Sequence, residues 1–178
     1  EHFMDIPWLN TLRAKYTYGS SGNSRVDSSS ADGSYVINSS HSYGGKSGAA
    51  LSKPANPGLR WERTYTSDWM FDFGAFKNRV ELSLEYYVRR TRDVLYGGRV
   101  SSIITDGDVT RNVGVISNKG IEFTLTTVNI RKSGFTWTTS INGAHNHNMI
   151  EELYKDTHTG FFDSIWVAGQ SKDAFWLV

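Results

Sequence analysis

Fifteen consecutive residues at positions 79–93, R-V-E-L-S-L-E-Y-Y-V-R-R-T-R-D, narrow the possible folds more than any other stretch. Val80, Leu82, Leu84, Tyr86 and Val88 occupy the even positions. Arg79, Glu81, Ser83, Glu85, Tyr87, Arg89, Thr91 and Asp93 occupy the odd ones. Successive side chains of a strand point to opposite faces, so this is a strand with one apolar and one charged face. Ordinary strands run about 5–6 residues, whereas a tilted strand crossing a bilayer needs about 9–11 and some overhang. A long strand of a soluble β-sandwich satisfies the same pattern, so the alternation alone leaves two architectures open.

The pattern recurs along the chain. Leu12, Ala14, Tyr16 and Tyr18 alternate with Arg13, Lys15 and Thr17. Between 61 and 73, Tyr65, Trp69, Phe71 and Phe73 stand against Thr64, Thr66, Asp68, Met70 and Asp72. Between 119 and 129, Ile121, Phe123 and Leu125 stand against Glu122, Thr124 and Thr126, and between 135 and 143, Phe135, Trp137 and Ile141 against Thr136, Thr138 and Asn142. With a turn at 74–78, Phe73 is expected to oppose Val80, Phe71 Leu82 and Trp69 Leu84. That register puts both apolar sets on one face of one hairpin, which a one-residue slip would not. Aromatics at 13% and 17 glycines, with few segments of helical period, fit an all-β chain.

The connections alternate in length. Residues 19–60 form a long one rich in Ser, Gly, Asn and Asp, with a short strand expected at Ser34, Tyr35, Val36 and Ile37, and a turn signal at Pro54 to Gly58. A second runs over 96–117 and a third over about 145–165, while 74–78 and 130–134 are short. Tight turns at one end and long loops at the other are the pattern of outer-membrane barrels. A sandwich gives no reason for it. The expectation is an all-β, antiparallel up-and-down transmembrane barrel segment occupying residues 1–178. Only about 5–6 strands are present, and a closed barrel needs at least about eight. An open edge in lipid leaves costly unpaired N–H and C=O groups, so the chain is expected to be a piece of a larger barrel. In that reading Asp68, Asp72, Glu81, Glu85, Arg89 and Glu122 face the lumen, and Val80, Leu82, Leu84, Phe71, Phe123 and Ile141 face lipid. The rival is a soluble β-sandwich module that binds carbohydrate or acts as an adhesin.

Composition excludes other functions. With 19 basic and 18 acidic residues the net charge is +1, which provides no strong overall field for nucleic acid or anionic lipid. No cysteine is present, so disulfide and thiolate chemistry are excluded. No catalytic set emerges, and no cofactor is implied. His145 and His147 share a strand face and with His158 offer metal-ligand chemistry, but polar histidines at strand ends and in loops explain them more simply. Asp106, Asp108, Glu151 and Glu152 are read as solvated carboxylates rather than a calcium site. The glycines around Thr17 to Gly22 lack phosphate-loop spacing, and no helix follows. Trp61, Trp69 and Trp137 suit the interfacial girdle of a membrane barrel. The loop aromatics Tyr35, Tyr43, Phe161, Phe162 and Trp166 are the candidates for substrate or partner contact.

Several stretches resemble one family, the SusC/RagA-type TonB-dependent transporters of Bacteroidetes outer membranes. Leu12 to Gly19 followed by Gly22-Asn23 resembles its "LRASYG…GN" strand, and Asn56 to Glu62 resembles "NPxLKWE". Asp72-Phe73-Gly74 with Phe76 to Val80 resembles "DFGxFxNRL", and Tyr86-Tyr87 with Thr91 to Leu95 resembles "YYxxxTxDLL". Asn112 to Glu122 is similar to "NVGxxxNKGIE", and Phe135 to Asn148 to "FxWxTSxNxSxNxN". The matches follow family order over nearly the whole chain. The resemblance implies a barrel of about 22 strands enclosing an N-terminal plug, capped by a SusD-like surface lipoprotein. It implies import of glycans or peptides across the bacterial outer membrane with energy from the TonB complex. The matched region is the middle-to-late barrel, without the plug, the TonB-contacting segment or the barrel C-terminus, so the resemblance also points to a fragment. A TonB contact would be made by parts of the protein outside this chain.

Overall fold

The computed structural model describes residues 6–24, 29–99, 108–154 and 166–174. Nine strands account for most of them: β1 (Leu9–Asn23), β2 (Ser34–Tyr43), β3 (Lys46–Lys53), β4 (Glu62–Ala75), β5 (Val80–Arg92), β6 (Leu95–Arg99), β7 (Asp108–Asn112), β8 (Gly114–Lys132) and β9 (Phe135–Leu153). A single helical turn, α1 (Ser29–Asp32), precedes β2. Five strands hydrogen-bond in the order β1-β4-β5-β8-β9, an up-and-down meander, while β2 pairs with β3 and β6 with β7 as separate two-stranded ribbons. The two ribbons are thus inserted into the β1→β4 and β5→β8 connections. β8 and β9, at 19 residues each, far exceed the length that a bilayer crossing needs.

The chain forms two compact units. The first comprises Glu1–Ser20, Tyr65–Arg90 and Asn118–Asn148; the second comprises Ser21–Thr64, Thr91–Ser117 and Met149–Val178.

In the first unit the strand pairs step in opposite directions, as antiparallel pairing requires. Tyr16 meets Trp69 and Thr17 meets Asp68. Trp69 meets Tyr86 and Asp72 meets Ser83. Tyr87 lies over Gly120, and Val128 N–H donates to the Arg79 carbonyl at 2.8 Å. Asn118 pairs with Asn148, and Thr126 with Ser140. The β4–β5 register differs from the sequence expectation by two residues, since Trp69 opposes Tyr86 and not Leu84. The cause is the turn. Gly74 and Ala75 remain in β4, and the chain reverses through Phe76, Lys77, Asn78 and Arg79. A two-residue shift preserves the face of every side chain, so the apolar and polar assignments stand.

That turn is built from three consecutive non-glycine residues with positive φ: Phe76 (55°), Lys77 (57°) and Asn78 (57°). Such conformations cost roughly 1–2 kcal/mol per residue. The start of β1 holds them in place. Phe76 N–H donates to the Trp8 carbonyl at 2.7 Å, Asn78 N–H donates to Asn10 Oδ1 at 3.2 Å, and the Trp8 ring stacks on Phe76 at 6.1 Å.

The second unit contains the one buried apolar cluster described: Val94, Val113, Ile116 and Ile150, with Tyr96, Leu153 and Trp166 packed against it. Side chains tie its backbone together. Glu62 accepts from Leu95 N–H at 2.8 Å and from Asn23 Nδ2 at 2.9 Å. Asn112 accepts from Arg60 N–H at 2.8 Å and donates to the carbonyls of Arg60 and Asp93 at 2.8 and 2.7 Å.

Strand lengths correct the expected loop boundaries. The segment expected as a loop over 19–60 carries the end of β1 and the whole β2–β3 ribbon. The ribbon turns through Gly44-Gly45, at φ 61° and 76°, the mirror-image turn that suits strand twist. Residues 96–117 contain β6, β7 and the start of β8, and β9 continues to Leu153, past the expected break near 145. The polar run from 145 to 148 lacks alternation, but pairing with β8 maintains the strand there.

Candidate functional site

The polar face of the first unit is built by strand parity. Arg13 on β1 lies 3.9 Å from Asp72 on β4, and Ser83 on β5 donates to the same carboxylate at 2.5 Å. Thr17 donates to Asp68 at 3.2 Å, and Tyr87 donates to Asn146 at 3.3 Å, with the Arg89 guanidinium 5.9 Å from the Tyr87 ring. Arg13, Asp72, Glu81, Ser83, Thr124 and Thr126 line a shallow groove of about 320 Å³. Glu85 and Glu122 line a neighbouring one of about 170 Å³. Asp68, Asp72, Glu81, Glu85, Arg89 and Glu122 therefore share one face. Every Asp and Glu on this unit's strands lies there, five acids in all, with Arg13, Lys15, Arg89 and Lys132 as their partial counterweight.

The opposite face is apolar and bare. Leu12 is 48% exposed, Trp69 44%, Phe123 40% and Ile141 53%. Burial of such side chains is worth about 1.5–3 kcal/mol each in water, and a sandwich would cover them with a second sheet. Lipid removes that requirement. Tyr16, Trp69 and Tyr86 form an aromatic row across this face, with centroids 5.2 and 5.6 Å apart. Trp8, Phe73 and Phe76 form a second cluster at the short-turn end. Two aromatic levels flanking an apolar band form the girdle pattern of membrane barrels.

The candidate contact residues separate. Tyr35 is 74% exposed on β2, opposite Leu51, and Ile37 beside it is 73% exposed. Tyr43 ends β2 opposite Lys46. Trp166 packs against Tyr96 in a tilted arrangement, with centroids 4.9 Å apart, and joins the buried cluster, so its ring anchors the chain segment that carries it. Phe161, Phe162, His158 and Asp106 lie outside the described residues. His145 and His147 are exposed on the apolar-parity face of β9, and Glu151 and Glu152, being adjacent on a strand, point to opposite faces. Among the described residues no three His, Asp or Glu side chains converge to hold a metal ion. Glu62 and Asn112 escaped sequence reasoning as structural ties. The only signal was their place inside the motifs at 56–62 and 112–122.

Comparison with known proteins agrees with this geometry. The family described as TonB dependent receptor-like, beta-barrel matches residues 4–170. The chain is 31% identical over 154 residues to TonB-dependent receptor P39 of Formosa agariphila, covering 86% of this chain and 15% of that protein. It is 33% identical over 144 residues to receptor P26 of the same organism, covering 80% and 14%. It is 29% identical over 160 residues to TonB-dependent receptor SusC of Bacteroides thetaiotaomicron, covering 86% and 16%. Among solved structures, a chain of the RagAB peptide importer in its closed-closed state superposes with a TM-score of 0.74 at 27% identity, over 93% of this chain and 18% of that one. The chain thus spans about one sixth of the length of the proteins it matches. It belongs to the TonB-dependent receptor β-barrel family, an outer-membrane family of transporters and receptors, and is similar within it to SusC and RagA.

Proposed function

We propose that this chain forms part of the barrel wall of a nutrient importer in the bacterial outer membrane, one that takes up glycans or peptides together with a SusD-like surface lipoprotein. The observation that carries the reading is the two-faced sheet of the first unit, with a bare apolar side for lipid and an acid-bearing polar side for the lumen. Asp68, Asp72, Glu81, Glu85, Arg89 and Glu122 line the transport path. The TonB complex energises the full-length protein through regions outside this chain. The role is passage and not catalysis. The RagAB relative is a peptide importer, which supports counting peptides beside glycans in the proposed substrate class.

The β2–β3 ribbon is the recognition element. Tyr35 and Ile37 present unburied apolar surface on it, and connecting segments on a rigid scaffold are where recognition concentrates. Tyr43, Phe161 and Phe162 complete the candidate contact set for lipoprotein or substrate. The test removes residues 34–53 from the full-length protein and joins the ends with a short Gly-Ser linker. Loop length costs little thermodynamically, so the heat-modifiable gel mobility of the barrel stays normal while growth on the cognate nutrient and lipoprotein docking fall sharply. Normal growth with a normal barrel overturns the role of the ribbon.

A further inference from the structure

The apolar face of the first unit ends in a small cationic group. The pairings of Asn118 with Asn148 and Thr126 with Ser140 fix the β8–β9 register, which sets Lys119 opposite His147 and Ile121 opposite His145. The Tyr87–Gly120 contact fixes β5 against β8, so Tyr86 stands beside Ile121 and Val88 beside Lys119. His145 therefore lies on the same cross-strand row as the aromatic ladder Tyr16–Trp69–Tyr86, and Lys119 and His147 lie one row further from the short turns. All three side chains are exposed. Directly opposed residues on a strand pair have Cβ atoms about 4.5–5.5 Å apart, so the three form one patch.

Segregation of charge gives this patch its meaning. No strand position on the apolar face of this unit is Asp or Glu; its five strand carboxylates, Asp68, Asp72, Glu81, Glu85 and Glu122, all point the other way. The next acid of matching parity on β9, Glu151, is four residues beyond His147 and belongs to the second unit. Arg90 has the same parity but makes interactions of its own. A divalent metal is the obvious ligand for two histidines spaced two apart, yet the fixed charge of Lys119 directly opposite His147 repels a cation. An anion is favoured instead, since Lys supplies charge and every imidazole supplies at least one N–H donor.

We propose that Lys119, His145 and His147 bind the phosphate groups of outer-leaflet lipid, so that the barrel carries a built-in contact for anionic headgroups at the upper limit of its apolar band. The proposal rests on the reading that this face meets lipid and that the end remote from the short turns is the outer one. A band that stops at an aromatic row places the next side chains at headgroup depth. There a single basic residue strengthens attachment to anionic lipid roughly fivefold.

The test uses the purified full-length receptor in nanodiscs of phosphatidylcholine with or without lipopolysaccharide, and reads lipopolysaccharide retained per receptor. Lys119→Gln is expected to lower retention roughly fivefold, the triple variant K119Q/H145Q/H147Q to lower it further, and Lys119→Arg to restore it. Millimolar inorganic phosphate is expected to leave retention unchanged; displacement by phosphate makes the site one for free phosphate and overturns the lipid assignment. Zinc binding lost in H145Q/H147Q and unaffected by Lys119→Gln overturns it in favour of a metal. A lipid-soluble probe at Leu84→Cys separates the two readings: Leu84 labelled with retention unchanged in the triple variant defeats the headgroup site alone, and Leu84 unlabelled defeats the face assignment beneath it.

Discussion

The ring of Tyr87 on β5 occupies the space in which any side chain at position 120 on β8 would stand. Gly120 thereby gains an aromatic cover, and Tyr87 gains a flat seat from which its hydroxyl reaches Asn146. Gly120→Ala is expected to displace the ring and destabilise the full-length barrel by about 1–3 kcal/mol, the usual cost of overpacking. Gly120→Ala combined with Tyr87→Ser should recover most of that loss. The measurement is the temperature of heat-modifiable unfolding, and an unchanged transition in the single variant sinks the contact.

Gly114 is a harder case. A Cβ there would run into the carbonyl oxygen of Glu152, which is backbone and cannot rotate away. Gly114→Ala should therefore destabilise more than Gly120→Ala. No second-site side-chain truncation should rescue it. Equal transition temperatures for the two variants contradict this ordering.

The two faces predict opposite chemistry under labelling. Cysteines introduced singly at Leu82, Leu84 and Phe123 should accept lipid-soluble probes in the full-length protein. Cysteines at Glu81, Ser83 and Glu122 should react with water-soluble reagents through the pore. A reversed or mixed pattern contradicts the parity-based faces.

A charge on the apolar face carries a depth-dependent cost. Leu84 stands between Leu82 and Tyr86 on β5, inside the band bounded by the aromatic levels. Leu84→Arg should cost about 2–4 kcal/mol of barrel stability, the value for a basic residue near the bilayer midplane. A cost near zero in a denaturant titration of the folded barrel in lipid places Leu84 outside the hydrocarbon.

Faces were legible in the sequence because a strand's period of two is imposed by the backbone, and Leu82, Phe71 and Phe123 report it without any knowledge of neighbours. The strand register was less so. The reversal at Phe76, Lys77 and Asn78 uses left-handed conformations that residue preferences argue against, which misplaced the β4–β5 pairing by two residues. Strand ends were hidden where pairing overrides composition, as in the polar stretch at 145–148. Gly44-Gly45 was a readable hairpin signal that the surrounding Ser- and Asn-rich composition obscured. Trp166 could not be placed from sequence, since only the fold brings it to Tyr96. The acid-bearing face was visible residue by residue, but its ion pair and hydrogen bonds depend on registers that sequence left open.

The reversal gripped by Trp8 and Asn10 also bears on the order in which the wall assembles. An isolated β4–β5 hairpin would have to hold three left-handed residues on its own hydrogen bonds, at roughly 1–2 kcal/mol apiece. The groups that secure them arrive with β1, more than 60 residues earlier in the chain. Local closure of this hairpin is therefore uphill until a distant strand docks. During biogenesis the pair should remain splayed and reopen readily, and zip only once β1 is in place, so that a mis-threaded wall can dissolve before it is locked.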